Sequence, residues 1–145
     1  MLIGDRNKVG LSEEEIERCV RVWDFLCGDK KRPIELSRAG VYGSRTYFDE
    51  IANALYLRAD VKPGAGPYAN ARMSVLACLA HELAHAERFE IGFVRPFKHP
   101  DNLIDEAETS LHASSMSVLG PQDREDLVED ARDRIIEWLA QKSRG

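Results

Sequence analysis

The segment LACLAHELAHAERFE, residues 76–90, carries the side chains best suited to chemistry: His81, Glu82 and His85, spaced H-E-x-x-H. Helical residues four apart project from the same face, so His81 and His85 would stand side by side. Two neutral imidazoles at that spacing suit one tetrahedral zinc ion. Glu82 lies next to the first of them, within reach of a water on such an ion. Zinc lowers the pKa of bound water towards ~7, and a carboxylate placed there takes its proton as the oxygen attacks a carbonyl. The competing reading is a core helix with the two histidines on its polar flank. The pattern supplies only two ligands, so a metal centre needs a third from elsewhere in the chain.

The surrounding pattern supplies elements to position these groups. Ser12 and Glu15 form a capping box, and Ile16, Cys19, Val20, Trp23, Leu26 and Cys27 follow at helical spacing until Gly28. Lys30 to Arg32 read as a solvated turn. Strands are expected over 41–48 and 53–61, where Leu55, Leu57 and Ala59 alternate with Tyr56 and Arg58, and DEIA between them could close a hairpin. The loop KPGAGP does not continue into a phosphate-binding fingerprint. One long helix is expected over 67–89, with Met73, Leu76, Ala77, Ala80 and Ala84 as its apolar stripe. A further helix starts near residues 100–102 and presents Ile104, Ala107, Leu111 and Val118. The last opens with Pro121 in its first turn and presents Leu127, Val128, Ala131, Ile135, Trp138 and Leu139, with its charges on a solvated outer face. The sum is an α+β protein: a small antiparallel or mixed sheet packed on the H-E-x-x-H helix, with additional helices, in one compact domain over 1–145.

Composition narrows the function classes. The 145 residues are 43% hydrophobic and 31% charged, as in a globular protein rather than a disordered one. A net charge of −5 argues against a general nucleic-acid binder. MLIGDRNKVG has no apolar run suited to a signal peptide and no segment approaches a membrane span, so a cytoplasmic protein is expected. The three cysteines, Cys19, Cys27 and Cys78, lack a disulfide-framework spacing and read as reduced thiols. Cys78 sits one turn before His81, yet an ordinary core cysteine is the simpler reading.

Three sources of a third ligand are distinguishable. A metzincin pattern, H-E-x-x-H-x-x-G-x-x-H, fails because Arg88 stands at the glycine and Ile91 at the histidine. A SprT-like arrangement would use His99, which Pro-Asp-Asn follows instead of glycine and an aromatic. A gluzincin arrangement takes a glutamate from the next helix, where residues 105–113 read DEAETSLHA. Glu106 and Glu108 are both candidates: Glu106, Ser110, Ala113 and Ser117 form a small-residue stripe permitting close helix approach, while Glu108 projects nearer the apolar face beside His112. His112 itself reads as a surface histidine, with oxyanion stabilisation as its functional alternative.

With HELAH followed by EAETSLHA, residues 53–119 resemble the small gluzincins, especially the ImmA/IrrE-like metallopeptidases. Several gluzincin families carry E-x-E-A-[DN]-x-x-A on the helix behind the active one. Laid on that pattern, Glu106 is the metal ligand, Glu108 the second glutamate and Ala113 the trailing alanine. Thr109 and Ser110 depart from the Ala and Asp/Asn positions, so the usual hydrogen bond to a ligating histidine is absent unless Ser110 supplies a weaker one. The resemblance implies a zinc metallopeptidase in which His81, His85 and Glu106 bind Zn2+ and Glu82 is the catalytic base. It also implies a peptide or protein substrate, such as a regulator supplied in trans, aligned by strand addition along an edge near 53–61. No nucleic-acid or membrane partner is expected. The competing class is a non-catalytic zinc-binding regulatory or interaction module on the same fold.

Overall fold

The structure, a computed structural model, describes residues 5–96 and 98–144; residues 1–4, part of the stretch read for a leader, lie outside them. Helix α1, Glu13–Cys27, forms where the capping box predicts it: Ser12 Oγ accepts from Glu15 N, and Glu15 Oε1 accepts from Ser12 N at 2.9 Å. Cys19, Trp23 and Cys27 line its buried face, and the chain leaves it at Gly28 with φ 60°, a left-handed conformation that glycine adopts without a Cβ penalty.

The sheet is mixed, in the order β1-β3-β2, with β1 (Ile34–Glu35) parallel and β2 (Tyr47–Asp49) antiparallel to β3 (Ala54–Tyr56). Both expected strands are present but much shorter than their apolar runs. Before β2, side chains replace the ladder: Thr46 Oγ1 accepts from Arg58 N at 3.0 Å, and Ser44 Oγ accepts from Ala59 N at 3.1 Å. Beyond Arg58 the chain curls into a 3-10 turn, Ala59–Val61. Residues 50–53 close the hairpin as expected, with Asp49 Oδ1 accepting from Ile51 N and Ala52 N, and Asn53 at φ 53°. The expected substrate-aligning edge near 53–61 requires correction. β3 is the central strand, and β1, hidden in sequence because only two residues pair, covers its other side.

The expected single helix over 67–89 is two helices, α2 (Ala69–Arg72) and α3 (Val75–Glu90). Ser74 breaks it by N-capping α3, its Oγ accepting from Ala77 N at 3.1 Å and donating to Asp123 Oδ1 at 2.8 Å. The Arg6 guanidinium satisfies carbonyls around the break, donating to Met73 O at 2.9 Å and Val61 O at 2.7 Å. Every residue from Ala77 to Ala86 is buried, so α3 is a central helix rather than an amphipathic one. On one side Leu79 and Leu83 pack with Trp23, Phe48, Leu55 and Leu57. On the other, Ala77, Ala80 and Ala84 pack with Ala113 and Leu127.

That second cluster is built from α4 (Asn102–Ser114) and α5 (Pro121–Arg144). Their faces differ from the apolar pattern. α4 buries Leu103, Asp105, Ala107, Thr109, Ser110 and Ala113, while Leu111 is exposed, and Ser117 and Val118 lie beyond its end. α5 buries Asp126, Leu127, Asp130, Ala131 and Arg134, leaving Val128, Ile135 and Leu139 exposed. The buried polar residues find polar partners inside: Ser110 meets His81 and Asp130, Arg134 meets Asp130, and Asp126 meets Arg72. Cys19, Cys27 and Cys78 are free and buried. No helix among the described residues is long and apolar enough to cross a membrane.

These facings predict opposite costs for two leucines. Leu79→Ala, at a fully buried position, is expected to lose about 2–5 kcal/mol in urea unfolding. Leu111→Ala, at an exposed one, should stay within about 0.5 kcal/mol; the reverse order would contradict the observed packing of α4.

Candidate metal centre

Helix α3 sets His81 and His85 side by side, their ring centroids 4.8 Å apart and their planes at 84°. Both are buried. α4 brings Glu106 against them: Oε2 lies 3.2 Å from His81 Nε2, and Oε1 lies 2.9 Å from His85 Nε2. Each imidazole thus meets its own oxygen of the one carboxylate. His81, His85 and Glu106 form a group whose donor atoms all lie within 4.8 Å of one another, and they could hold a metal ion. Two imidazole nitrogens and a carboxylate are a borderline-to-hard donor set of the kind that takes divalent transition metals.

The other candidates separate cleanly. Glu108 has a half-exposed side chain and faces Arg88 at 3.9 Å. His99 lines the same cavity as the histidines but does not join the donor group. His112 pairs with Glu87 at 3.0 Å on the surface, away from the cavity, so the oxyanion reading does not fit. Cys78 stays outside the donor group, and burial pushes its thiol up to about 12.

Glu82 shares the wall of a cavity of about 740 Å³ with His81, His85 and Glu106. Its Oε1 accepts from Phe48 N at 3.0 Å, tying the carboxylate to strand β2. Burial pushes its carboxyl above the ordinary range, with His81 and His85 pulling the other way. Burial would also raise Glu106, yet hydrogen bonds from His81 and His85 hold it well below its usual value. Burial disfavours a charged His81, but the Glu106 carboxylate overrides it and raises the imidazole.

Behind the histidines stand two hydroxyls. Ser110 Oγ lies 2.8 Å from His81 Nδ1 and donates to Asp130 Oδ2 at 2.6 Å. Thr109 Oγ1 lies 3.4 Å from His85 Nδ1 and donates to the Asp105 carbonyl at 2.7 Å. The hydrogen bond that Ser110 puts at risk on the sequence pattern is therefore made, through the serine itself.

Three charged residues of the site escape a reading of apolar periodicity. Arg95 Nη2 lies 2.9 Å from Glu106 Oε1, and Arg134 Nη1 lies 3.5 Å from Glu106 Oε2. Arg134 Nε also donates to Asp130 Oδ2 at 2.9 Å. The signal for Asp130 and Arg134 was available: with Asp126 they recur every four residues beside Leu127 and Ala131, a charged row sharing the buried stripe. Nothing comparable marks Arg95, which reaches the site from the loop after α3.

No family model, curated protein or solved structure matches this chain.

Cobalt(II) titration reads this geometry directly. One ion per chain is expected, with affinity falling by more than about 100-fold in His81→Ala, His85→Ala and Glu106→Ala. His99→Ala and Glu108→Ala should bind as the parent does; loss in either, or retention in Glu106→Ala, would move the third donor elsewhere.

Proposed function

We propose that this chain is a zinc-dependent metallopeptidase of the gluzincin type with a zincin-like fold, holding Zn2+ through His81, His85 and Glu106. The observation that carries the reading is the convergence of those three side chains on one wall of a cavity that Glu82 also lines. Two histidines and one glutamate are the ligand set of several hydrolytic zinc enzymes. Bound zinc would supply Lewis acidity and an acidified water.

The chain's own groups then divide the work. Glu82 accepts a proton and returns it to the leaving amine; its raised carboxyl suits both halves of that exchange. The Phe48 N–H holds one carboxylate oxygen in place, which limits the positions the other can sweep. A peptide would lie beside the segment 43–47, which borders the cavity and leads into β2. The central strand β3 is not available for pairing. Phe48 N is already spent on Glu82 and Thr46 N on Asp60, so the walls of the cavity carry more of the alignment than backbone addition to β2.

One observation favours a second reading, a non-catalytic zinc-binding regulatory module. Arg95 and Arg134 both engage Glu106, drawing electron density from the carboxylate that must serve as the ligand. Peptide-library cleavage read by mass spectrometry separates the two. Glu82→Gln is expected to retain zinc and to lose about 10²–10⁴-fold in cleavage rate. Cleavage persisting in a clean Glu82→Gln preparation would remove the mechanism, and a zinc-loaded parent that cuts nothing would favour the regulatory module.

A further inference from the structure

We infer that the outer face of α5 is an interface at which two copies of this chain pair, their α5 helices running antiparallel about a two-fold axis.

Helix α5 carries a row of large apolar side chains that the core does not use. Val128 is 47% exposed, Ile135 37% and Leu139 53%, with Ile136 beside them at 52%. Glu125, Val128, Arg132, Ile135, Leu139 and Lys142 follow one another at alternating steps of three and four residues. That is the spacing of a heptad seam, the stripe along which one helix packs on another. All six residues are exposed, over a length of about 26 Å at 1.5 Å per residue. The α5 residues that line the cavity, Arg134, Glu137 and Gln141, lie roughly 130–170° around the helix from the seam. A helix docked on the seam therefore leaves the cavity open.

The charges along the seam name the occupant. Antiparallel pairing about an axis between residues 133 and 134 sets Glu125 against Lys142 of the second copy. Val128 then meets Leu139, and Arg132 meets Ile135. Two-fold symmetry makes each of these pairs twice. Both ends of the seam join opposite charges, and the aliphatic stem of Arg132 covers Ile135 while its guanidinium stays in water. Parallel pairing in register would instead set Glu125 on Glu125, Arg132 on Arg132 and Lys142 on Lys142, and like charges brought together oppose association. An unrelated partner would have to bring the same order of charges reversed; a second copy has it by symmetry. Lys142 already lies 3.1 Å from Asp101, yet its side chain is 48% exposed. An ammonium has three protons to donate, so Lys142 can serve Glu125 of the second copy as well.

The pairing also gives the periodicity of α5 a physical cause. Val128, Ile135 and Leu139 recur as a buried stripe does because they have a helix to pack against, although that helix belongs to another molecule.

Sedimentation velocity of the full chain over a range of concentrations is expected to show a reversible monomer–dimer equilibrium. Leu139→Lys, a change at an exposed position, should weaken the dimer by more than about 10-fold. Glu125→Lys and Lys142→Glu should each weaken it, and the two together should recover it. Oxidative cross-linking reads the register, since Cys19, Cys27 and Cys78 are buried. Chains with Glu125→Cys mixed with chains with Lys142→Cys should form a disulfide-linked dimer. Either variant alone should not, because antiparallel pairing keeps like positions about 26 Å apart. A parent that stays monomeric up to about 1 mM would overturn the inference. So would a dimer indifferent to Leu139→Lys, charge reversals that do not rescue one another, or Glu125→Cys chains that cross-link among themselves.

Discussion

One largely buried carboxylate held between two imidazoles at a cavity wall is the constraint from which the rest of the architecture follows. A buried charge is costly unless it is paired and hydrogen-bonded. Glu106 meets that requirement with His81 and His85 on one side and Arg95 and Arg134 on the other. Reaching the imidazoles requires α4 to come close to α3. Small residues at the contact, Ala77, Ala80 and Ala84 against Ser110 and Ala113, permit it. The cluster also needs cover from water, and α5 supplies it with Leu127 and Ala131 beside Asp130 and Arg134. The polar half of the core is thus a consequence of where Glu106 sits.

The opposite side of α3 answers a different need. Trp23, Phe48, Leu55, Leu79 and Leu83 form an apolar cluster that seats the helix on the sheet. Phe48 belongs to that cluster through its side chain and to the site through its N–H, which holds Glu82. Glu82 and the His81, His85 and Glu106 group are therefore anchored to different layers. Glu82 is fixed from the sheet side, while the nitrogens and carboxylate are fixed from α4 and α5. A helix held between two layers keeps their separation constant, as the proposed hydrolysis would require.

Much of this was legible in the residues. The capping box, the hairpin turn at Asp49 and the start of α5 follow from short-range chemistry, and that chemistry is local. His81, Glu82 and His85 announced themselves by spacing, and Glu106 by its place in EAETSLHA. The errors share a physical cause. Apolar periodicity assigns the core face to Leu111, Val128 and Ile135, but that rule assumes a wholly apolar interior. Here α4 and α5 turn Ser110, Asp130 and Arg134 inward because each finds a partner there: Ser110 bonds His81, Asp130 bonds Ser110 and Arg134, and Arg134 pairs with Glu106. The break at Ser74 and the two-residue strand β1 depend on partners distant in sequence, Asp123 and β3. Ser74 also caps α3 locally through Ala77 N, a signal the continuous apolar stripe of 67–89 masks, whereas β1 has no local mark.

The central claim is that His81, His85 and Glu106 hold one metal ion together. Zinc K-edge X-ray absorption on the zinc-loaded chain tests it most directly. The account predicts a nitrogen and oxygen shell at about 2.0–2.1 Å, with outer-shell scattering from two imidazoles and no sulfur. A sulfur shell at about 2.3 Å, which would bring Cys78 into the site, or scattering from fewer than two imidazoles would contradict it.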